Sequence, residues 1–415
     1  MKCTILSIGD ELLIGQTLNT NAYWMSQKMN EIGIDVIHHV SLSDEKSDII
    51  NCLNDALAAS QVILITGGLG PTSDDITKEV LCEYFGGKLV FNEEAFRNIE
   101  RIFASRKRLI NEASRRVAYL PDVCKVIPNS NGTAAGMIFT KDGKTVVSMP
   151  GVPYEMKGMI IEGVVPYLKE QYQLPFILHS NILTAGVGET QLADSLVDFE
   201  QHKDPRIKLA YLPNVGKVRL RLTIKGDDKD ELQAILDEAR REVVANIGEH
   251  IYGYEEELLE QTVGNMLLEQ NLSIGTAESC TGGYLAHLIT SVAGSSAYFK
   301  GSIISYANEV KQELLGVKPE TLQQFGAVSE QTVSEMLDGA LTQLRTDIAI
   351  AISGVAGPAG ATPEKPVGTV FIGIGTKDKK VIKMMSFTVH RDRNIQLSAV
   401  LALVMLRKFL LNQLK

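Results

Sequence analysis

The stretch TAESCTGG, residues 276–283, brings Glu278, Ser279, Cys280 and Thr281 together with Gly282 and Gly283. It lies between an apolar run, NLSIG, and a helical pattern, YLAHLIT. A turn from strand to helix presents backbone amides that can hold an anion or polarise a nucleophile. Two side chains compete for that role. Cys280 gains from a helix N-terminus, which lowers a thiol pKa, but cysteine catalysis normally needs a histidine to move protons. In this part of the chain only His287 and His390 are available, and His287 stands about 10 Å along the same predicted helix. Ser279 also needs a base. Downstream, GSIISYANEVK puts Tyr306 near a strand end and Lys311 in the next helical segment. A desolvated lysine can serve as base to a serine, with the tyrosine relaying or orienting the proton. The competing reading makes Glu278, Ser279 and Thr281 helix caps and Lys311 a solvated charge, and spacing alone leaves both open. A third strand end, AISGVAGPAG, offers amides and small residues from Ser353 to Gly360, with Gly354 and Gly357 between them.

The first 170 residues hold four further strand-to-helix turns: GDELLIG, TGGLGPTSDDIT, NGTAAGM and SMPGVPYEM. Any one reads as a tight turn in which glycine supplies unusual backbone angles. The second offers more. Gly67, Gly68 and Gly70 let the backbone approach a ligand, and Thr72 or Ser73 can cap the following helix, leaving amide hydrogens facing an anion. No Walker lysine and no GxGxxG spacing are present. Asp74 and Asp75 suit the first turn of a helix through its dipole. Beside a phosphate they would repel it unless a divalent cation stood between, which points to a metal-dependent phosphate ester or anhydride site.

These turns require parallel strands with helices on both faces, and the order of apolar runs agrees. CTILSIG, IDVIHHV and QVILITGG alternate with NAYWMSQKMNEIG and SDIINCLNDALAAS. Residues 171–254 differ, with the alternating KVRLRLTIKG and the helical DELQAILDEARREVVANIG, and read as a small α+β module for spacing or pairing. From residue 255 the strand-helix alternation returns. The expected fold is α/β: two three-layer domains with mostly parallel sheets, 1–170 and 255–415, joined by the α+β domain 171–254.

The 415 residues exceed one compact core, and the net charge of -9 with a pI near 5.4 argues against a surface that coats nucleic acid. The N-terminus meets Asp10 and Glu11 too early for a secretory signal, and no apolar run reaches membrane-spanning length. Cys3, Cys52, Cys82, Cys124 and Cys280 are scattered without zinc-ligand or disulfide spacing, so a reducing cytoplasm is expected.

GDELLIGQTLNTNA, TGGLGPTSDDITKE, NGTAAGM and MPGVPYEM, in that order, resemble the N-terminal domain of the competence/damage-inducible protein A (CinA) family, itself similar to the molybdopterin-binding fold. AESCTGG, AGSSAYFKGSIISYANEVK, GAVSE, ISGVAGP and PVGTV resemble the C-terminal domain of the same family, which in its amide-hydrolysing members is a nicotinamide mononucleotide (NMN) deamidase. The resemblance implies Ser279 as nucleophile with Tyr306 and Lys311 moving its proton. It implies substrate contacts at Cys280, Thr281, Gly282, Gly283, Ser353, Gly354, Gly357, Gly360 and Arg393, with the Gly354 to Gly360 amides on ribose or phosphate. In the N-terminal domain it implies a nucleotide-like or pterin-like ligand across Gly67, Gly68, Gly70 and Thr72, with Asn131, Gly132 and Thr133. Metal-dependent hydrolysis of the pyrophosphate of ADP-ribose, with the cation at Asp74 and Asp75, is the implied chemistry there. One departure concerns HRDRNIQL: the family often has Gly-Asp-Arg and a further Arg, whereas here Arg391 takes the Gly position and Leu397 or its neighbours the later Arg, with Asp392 and Arg393 retained. The middle module resembles the family's KH-like insert without the GXXG clamp of RNA binders. The expected activity is conversion of NMN to nicotinic acid mononucleotide and ammonia, without a cofactor for that reaction. NMN and ADP-ribose are the expected partners, and the chain is expected as a homodimer. The alternative is a non-enzymatic pterin- or nucleotide-binding regulatory protein. Cys280 and Thr281 lie in the turn whose amides, Cys280 to Gly283, are the expected oxyanion donors.

Overall fold

The computed structural model describes every residue except Ser73, Arg106, Arg108 and Lys415. By contacts the chain divides into two compact units, Met1–Leu178 with Lys225–Leu232, and His179–Ile224 with Gln233–Lys415.

In the first unit β1 (Lys2–Ile8), β2 (Asp35–Leu42) and β3 (Val62–Thr66) are followed by a two-stranded antiparallel ribbon, β4 (Leu89–Phe91) with β5 (Tyr119–Pro121). β6 (Lys125–Ile127), β7 (Gly136–Lys141) and β8 (Lys144–Met149) complete a six-stranded sheet ordered β2-β1-β3-β8-β7-β6. β2, β1, β3 and β8 run parallel, and β7 and β6 close the edge antiparallel. Successive residues of a strand face opposite ways, so the continuous apolar runs feed two cores. Leu6, Ile8, Ile63 and Ile65 pack with Ile49 and Leu53 of the helix Lys46–Ala59. Cys3, Ile5, Val62 and Leu64 pack with Met25 and Met29 of the helix Thr20–Glu31. Asn19 starts that second helix by accepting from the Ala22 amide at 3.0 Å.

The second unit holds two sheets. β9 (Phe176–Ala185), β10 (Lys208–Asn214), β11 (Lys217–Gly226) and β12 (Ile251–Tyr254) are ordered β10-β11-β9-β12. Val218, Leu220, Leu222 and Ile224 of β11 point to one buried face, as the alternation of KVRLRLTIKG demands. The other sheet contains β13 (Ile274–Glu278), β14 (Phe299–Ile304), β15 (Ile348–Gly354), β16 (Thr369–Gly375) and β17 (Lys380–Ser386), ordered β14-β13-β15-β16-β17. β14, β13 and β15 are parallel, whereas β16 and β17 run antiparallel. Helix Arg391–Leu410 carries the LSAVLALVML run and buries Ala399, Leu403 and Leu406 against this sheet. Its other side meets the first sheet of the unit: Gly216 leaves room for Val400, and Gly186 for Val404. An apolar stretch wanted by two surfaces needs no membrane to explain it, and no helix among the described residues is long and apolar enough to cross one.

Candidate active site in the second unit

β13 lies between β14 and β15, and the crevice at the carboxyl ends of these strands is where open parallel sheets place ligands. The turn after β13 is built by Glu278. Its side chain, fully buried, accepts from the amides of Gly283 (3.0 Å), Leu285 (3.1 Å) and Ala286 (2.8 Å), which open the helix Tyr284–Thr290. Glu278 is therefore the cap that one reading of the sequence expected. Gly282 (φ 59°) and Gly283 (φ 95°) take the left-handed backbone that bends the chain into this grip. The Gly282 amide donates to the Ser279 carbonyl at 3.1 Å. Of the four amides expected as oxyanion donors, those of Gly282 and Gly283 are thus committed, which corrects the expectation. Those of Cys280 and Thr281 make no bond to another backbone group among the described residues, the Cys280 amide lying beside its own thiol. The Thr281 hydroxyl is also buried without a partner.

Ser279 ends the same strand run, its amide bonded to the Ile352 carbonyl of β15 at 2.9 Å. Its Oγ stands 3.1 Å from Nζ of Lys311, which comes from the helix Asn308–Leu315. Lys311 is only 1% exposed, and its remaining neighbours are two carbonyls, Ser305 at 2.7 Å and Tyr306 at 3.3 Å. Burial lowers the Lys311 pKa. A neutral amine has two N–H donors and one lone pair, and this pocket supplies two carbonyls to accept and one hydroxyl able to donate. The reading of Lys311 as a solvated surface charge is excluded by its burial. Cys280 is buried too, and burial pushes its thiol up to about 12, so it is not held as a thiolate.

These residues line one cavity of about 240 Å³ that also touches Tyr306, Ser353, Gly354, Gly357 and Gly360. Three placements differ from the sequence expectation. The Tyr306 hydroxyl accepts from Nη2 of Arg391 at 3.0 Å, and it is the Tyr306 carbonyl that meets Lys311, so the phenol is not positioned as the relay to Ser279. Ser353 Oγ is committed to the Ala327 carbonyl at 2.6 Å. Arg393 is exposed and does not line the cavity, whereas Arg391 does. Asn394, buried behind it, donates to the carbonyls of Ala356 (3.0 Å) and Thr388 (2.8 Å) and so ties the glycine loop to the start of the last helix. Neither Arg391 nor Asn394 was singled out as a site residue from sequence, although both stand in the HRDRN segment.

In the first unit the expected residues are spread over separate places. Gly67 (φ 113°) packs so closely on the Ile8 carbonyl that a Cβ would lie 2.2 Å from its oxygen. The Asp75 carboxylate accepts from the Thr72 amide at 2.9 Å and from its hydroxyl, closing the turn and filling the space beside Gly70. Ser73, the alternative cap, lies outside the described residues. Burial first, then the negative charges of Asp10, Glu11 and Asp74, raises the pKa of Asp44. Yet among the described residues no three His, Cys, Asp or Glu converge where a metal ion could sit. The cavity at the ends of β1 and β3, about 120 Å³, is lined by Ser7, Thr17, Asn19, Asn21, Thr66 and Gly151 rather than by Gly67, Gly68, Gly70 or Thr72. Asn21 Oδ1 is buried there without a partner. Thr133 lines a different cavity of about 330 Å³ with Asn98 and Arg101, while the Asn131 and Gly132 amides are held by Asn129 Oδ1.

Comparison with known proteins agrees with this division. Residues 256–410 match the CinA C-terminal domain, residues 4–170 the probable molybdopterin binding domain, and residues 179–253 the damage-inducible protein CinA KH domain. A CinA-like protein of Cytophaga hutchinsonii is 43% identical over 404 residues, 97% of each chain. One from Flavobacterium psychrophilum is 43% identical over 413 residues, 99% of each. A solved competence/damage inducible protein from Agrobacterium tumefaciens, 38% identical, covers 36% of this chain and 92% of its own, with a TM-score of 0.35.

Proposed function

Because this chain belongs to the CinA family, we propose that the cavity of its second unit hydrolyses the carboxamide of NMN to nicotinic acid mononucleotide and ammonia. The observation that carries this reading is the buried Lys311 amine 3.1 Å from Ser279 Oγ. A carboxamide is a poor electrophile, so its hydrolysis needs an activated nucleophile together with donors aimed at the developing oxyanion. Neutral Lys311 takes the Ser279 proton as Oγ attacks the carboxamide carbon. The Cys280 amide, on the cavity wall, receives the oxyanion. Collapse expels the nitrogen, which leaves as ammonia with the proton returned by Lys311. Water, deprotonated by the same amine, then attacks the acyl-serine, and Lys311 returns that proton to the departing Ser279 Oγ as the carboxylate is released. Tyr306 and Gly357 shape the rest of the cavity. Purified protein incubated with NMN should release ammonia. Binding without any ammonia would leave the regulatory, non-enzymatic reading in its place.

For the N-terminal domain we propose binding of a nucleotide-like or pterin-like ligand, supported by the spare Asn21 oxygen in its cavity. Cation-dependent hydrolysis of the ADP-ribose pyrophosphate is the activity to test there. With Asp75 engaged by Thr72, a cation near Asp74 would depend on oxygens of the ligand and water to complete its shell.

A further inference from the structure

One group performs every proton transfer at Ser279. Among the described residues lining its cavity there is no histidine and no carboxylate. The other polar side chains are committed: the Tyr306 hydroxyl accepts from Arg391, Ser353 Oγ donates to the Ala327 carbonyl, and burial keeps the Cys280 thiol protonated. Lys311 remains, its amine 3.1 Å from Ser279 Oγ and its own hydrogens donated to the carbonyls of Ser305 (2.7 Å) and Tyr306 (3.3 Å). Those two acceptors take the N–H bonds of a neutral amine and leave its lone pair for the serine side. Hydrolysis of acyl-Ser279 therefore waits on this single base, because water attacks only as Lys311 removes its proton. A neutral nitrogen nucleophile brings its own reactive lone pair and gives up a proton only once the C–N bond is forming. The geometry already serves such an attack. Expulsion of ammonia, with Lys311 delivering its proton, is in reverse the attack of a neutral amine with Lys311 receiving one. Ser279 is 8% exposed and Lys311 1%, so only a nucleophile near the size of water or ammonia reaches the acyl carbon.

We propose that this cavity is also an acyltransferase site, passing the acyl group from Ser279 to small neutral nitrogen nucleophiles such as hydroxylamine. The activity rests on the deamidase reading and gives its acyl-enzyme a second acceptor beside water. The hydroxylamine nitrogen attacks the acyl carbon, the C–N bond forms, and the C–O bond to Ser279 breaks. Lys311 takes the proton from that nitrogen and hands it to the departing Ser279 Oγ, which restores the starting pair. In sum NMN and hydroxylamine give the hydroxamate of nicotinic acid mononucleotide and ammonia, and nothing is oxidised or reduced.

The test incubates the full chain with NMN, or with the methyl ester of nicotinic acid mononucleotide, and increasing hydroxylamine at neutral pH. Ammonia, carboxylate and hydroxamate are then measured by mass. The hydroxamate should appear, and its ratio to carboxylate should rise in proportion to hydroxylamine and be the same from amide and ester, since both pass through one acyl-Ser279. Ser279→Ala should lose hydroxamate and carboxylate together, on the order of 10³-fold or more. O-Benzylhydroxylamine, equally neutral but too large for the buried pair, should give at least about 10-fold less product. Hydroxamate that Ser279→Ala forms as fast, a ratio that differs between amide and ester, or equal yields from the large and small nucleophiles would overturn the proposal. Ammonia released from NMN with no hydroxamate at any hydroxylamine concentration overturns it and leaves the deamidase reading standing. Hydroxamate from the ester with no ammonia from NMN overturns the deamidase reading alone, and no product from either substrate overturns both.

Discussion

The two strand-end sites of this chain start from similar sequence, glycine-rich turns with hydroxyls and acids, and reach different states. In the turn after β3, Asp75 is satisfied by Thr72, and in the loop before β7 the Asn131 and Gly132 amides are held by Asn129. In the turn after β13, Glu278 takes up the helix amides and leaves Cys280 and the Ser279–Lys311 pair lining a cavity. Capping groups and reactive groups come from the same residue types. What separates them is whether donors and acceptors remain once the backbone has been satisfied. By that criterion the N-terminal ligand belongs beside Asn21, whose Oδ1 is spare, more than on the Gly67 to Thr72 turn.

The comparison breaks most directly at Ser279. Ser279→Ala should abolish ammonia release from NMN, a loss on the order of 10³-fold or greater, whereas Cys280→Ala should keep most of the rate. A dead Cys280 variant beside an active Ser279 variant would transfer the nucleophile to the thiol. Lys311→Met should lower kcat by about 10²- to 10⁴-fold with little change in NMN affinity, as for a group acting mainly in the transition state. Its pH dependence carries a sign. With the pKa lowered by burial, turnover should rise with pH through a value below the ordinary lysine range and then level off. The unfolded lysine keeps its ordinary, higher pKa and binds the proton more readily, so folding stability also rises with pH between the two values and falls as pH drops through the folded one. A kcat profile rising only near the ordinary lysine pKa would return Lys311 to a structural role.

Smaller effects sharpen the contrast between capping and chemistry. Glu278→Ala leaves three helix-start amides, that of Leu285 buried, without their acceptor and should cost about 2 kcal/mol in urea unfolding. A Glu278→Gln protein of unchanged stability but no turnover would instead make Glu278 part of the reaction. Asp75→Asn should cost about 1 kcal/mol or less through the Thr72 turn and leave deamidation untouched. If the unmodified chain hydrolyses ADP-ribose, chelator removes that activity, and Asp74→Asn with Asp75→Asn abolishes it, the N-terminal turn would have to be counted as catalytic.

Much of this was legible in the residues. Continuous apolar runs required two-sided parallel sheets, and turn composition marked the ends of β3, β13 and β15. The order of motifs pointed to Ser279 and Lys311, and the absence of a reachable histidine already weakened Cys280. The alternation in KVRLRLTIKG predicted the buried face of β11. Sequence also offered Glu278 as a cap and Lys311 as either base or surface charge, without deciding for Lys311. Only packing decided that, since a lysine's protonation depends on what surrounds its amine in space, and here two carbonyls and a serine do. The same holds for Arg391 against Arg393. Two residues apart on a helix they point about 200° away from each other, so one faces the cavity and the other solvent. Their order in the chain is written in the sequence, but which of the two faces inward depends on how helix Arg391–Leu410 is rotated against its sheet, and that rotation is set by the burial of Ala399, Leu403 and Leu406.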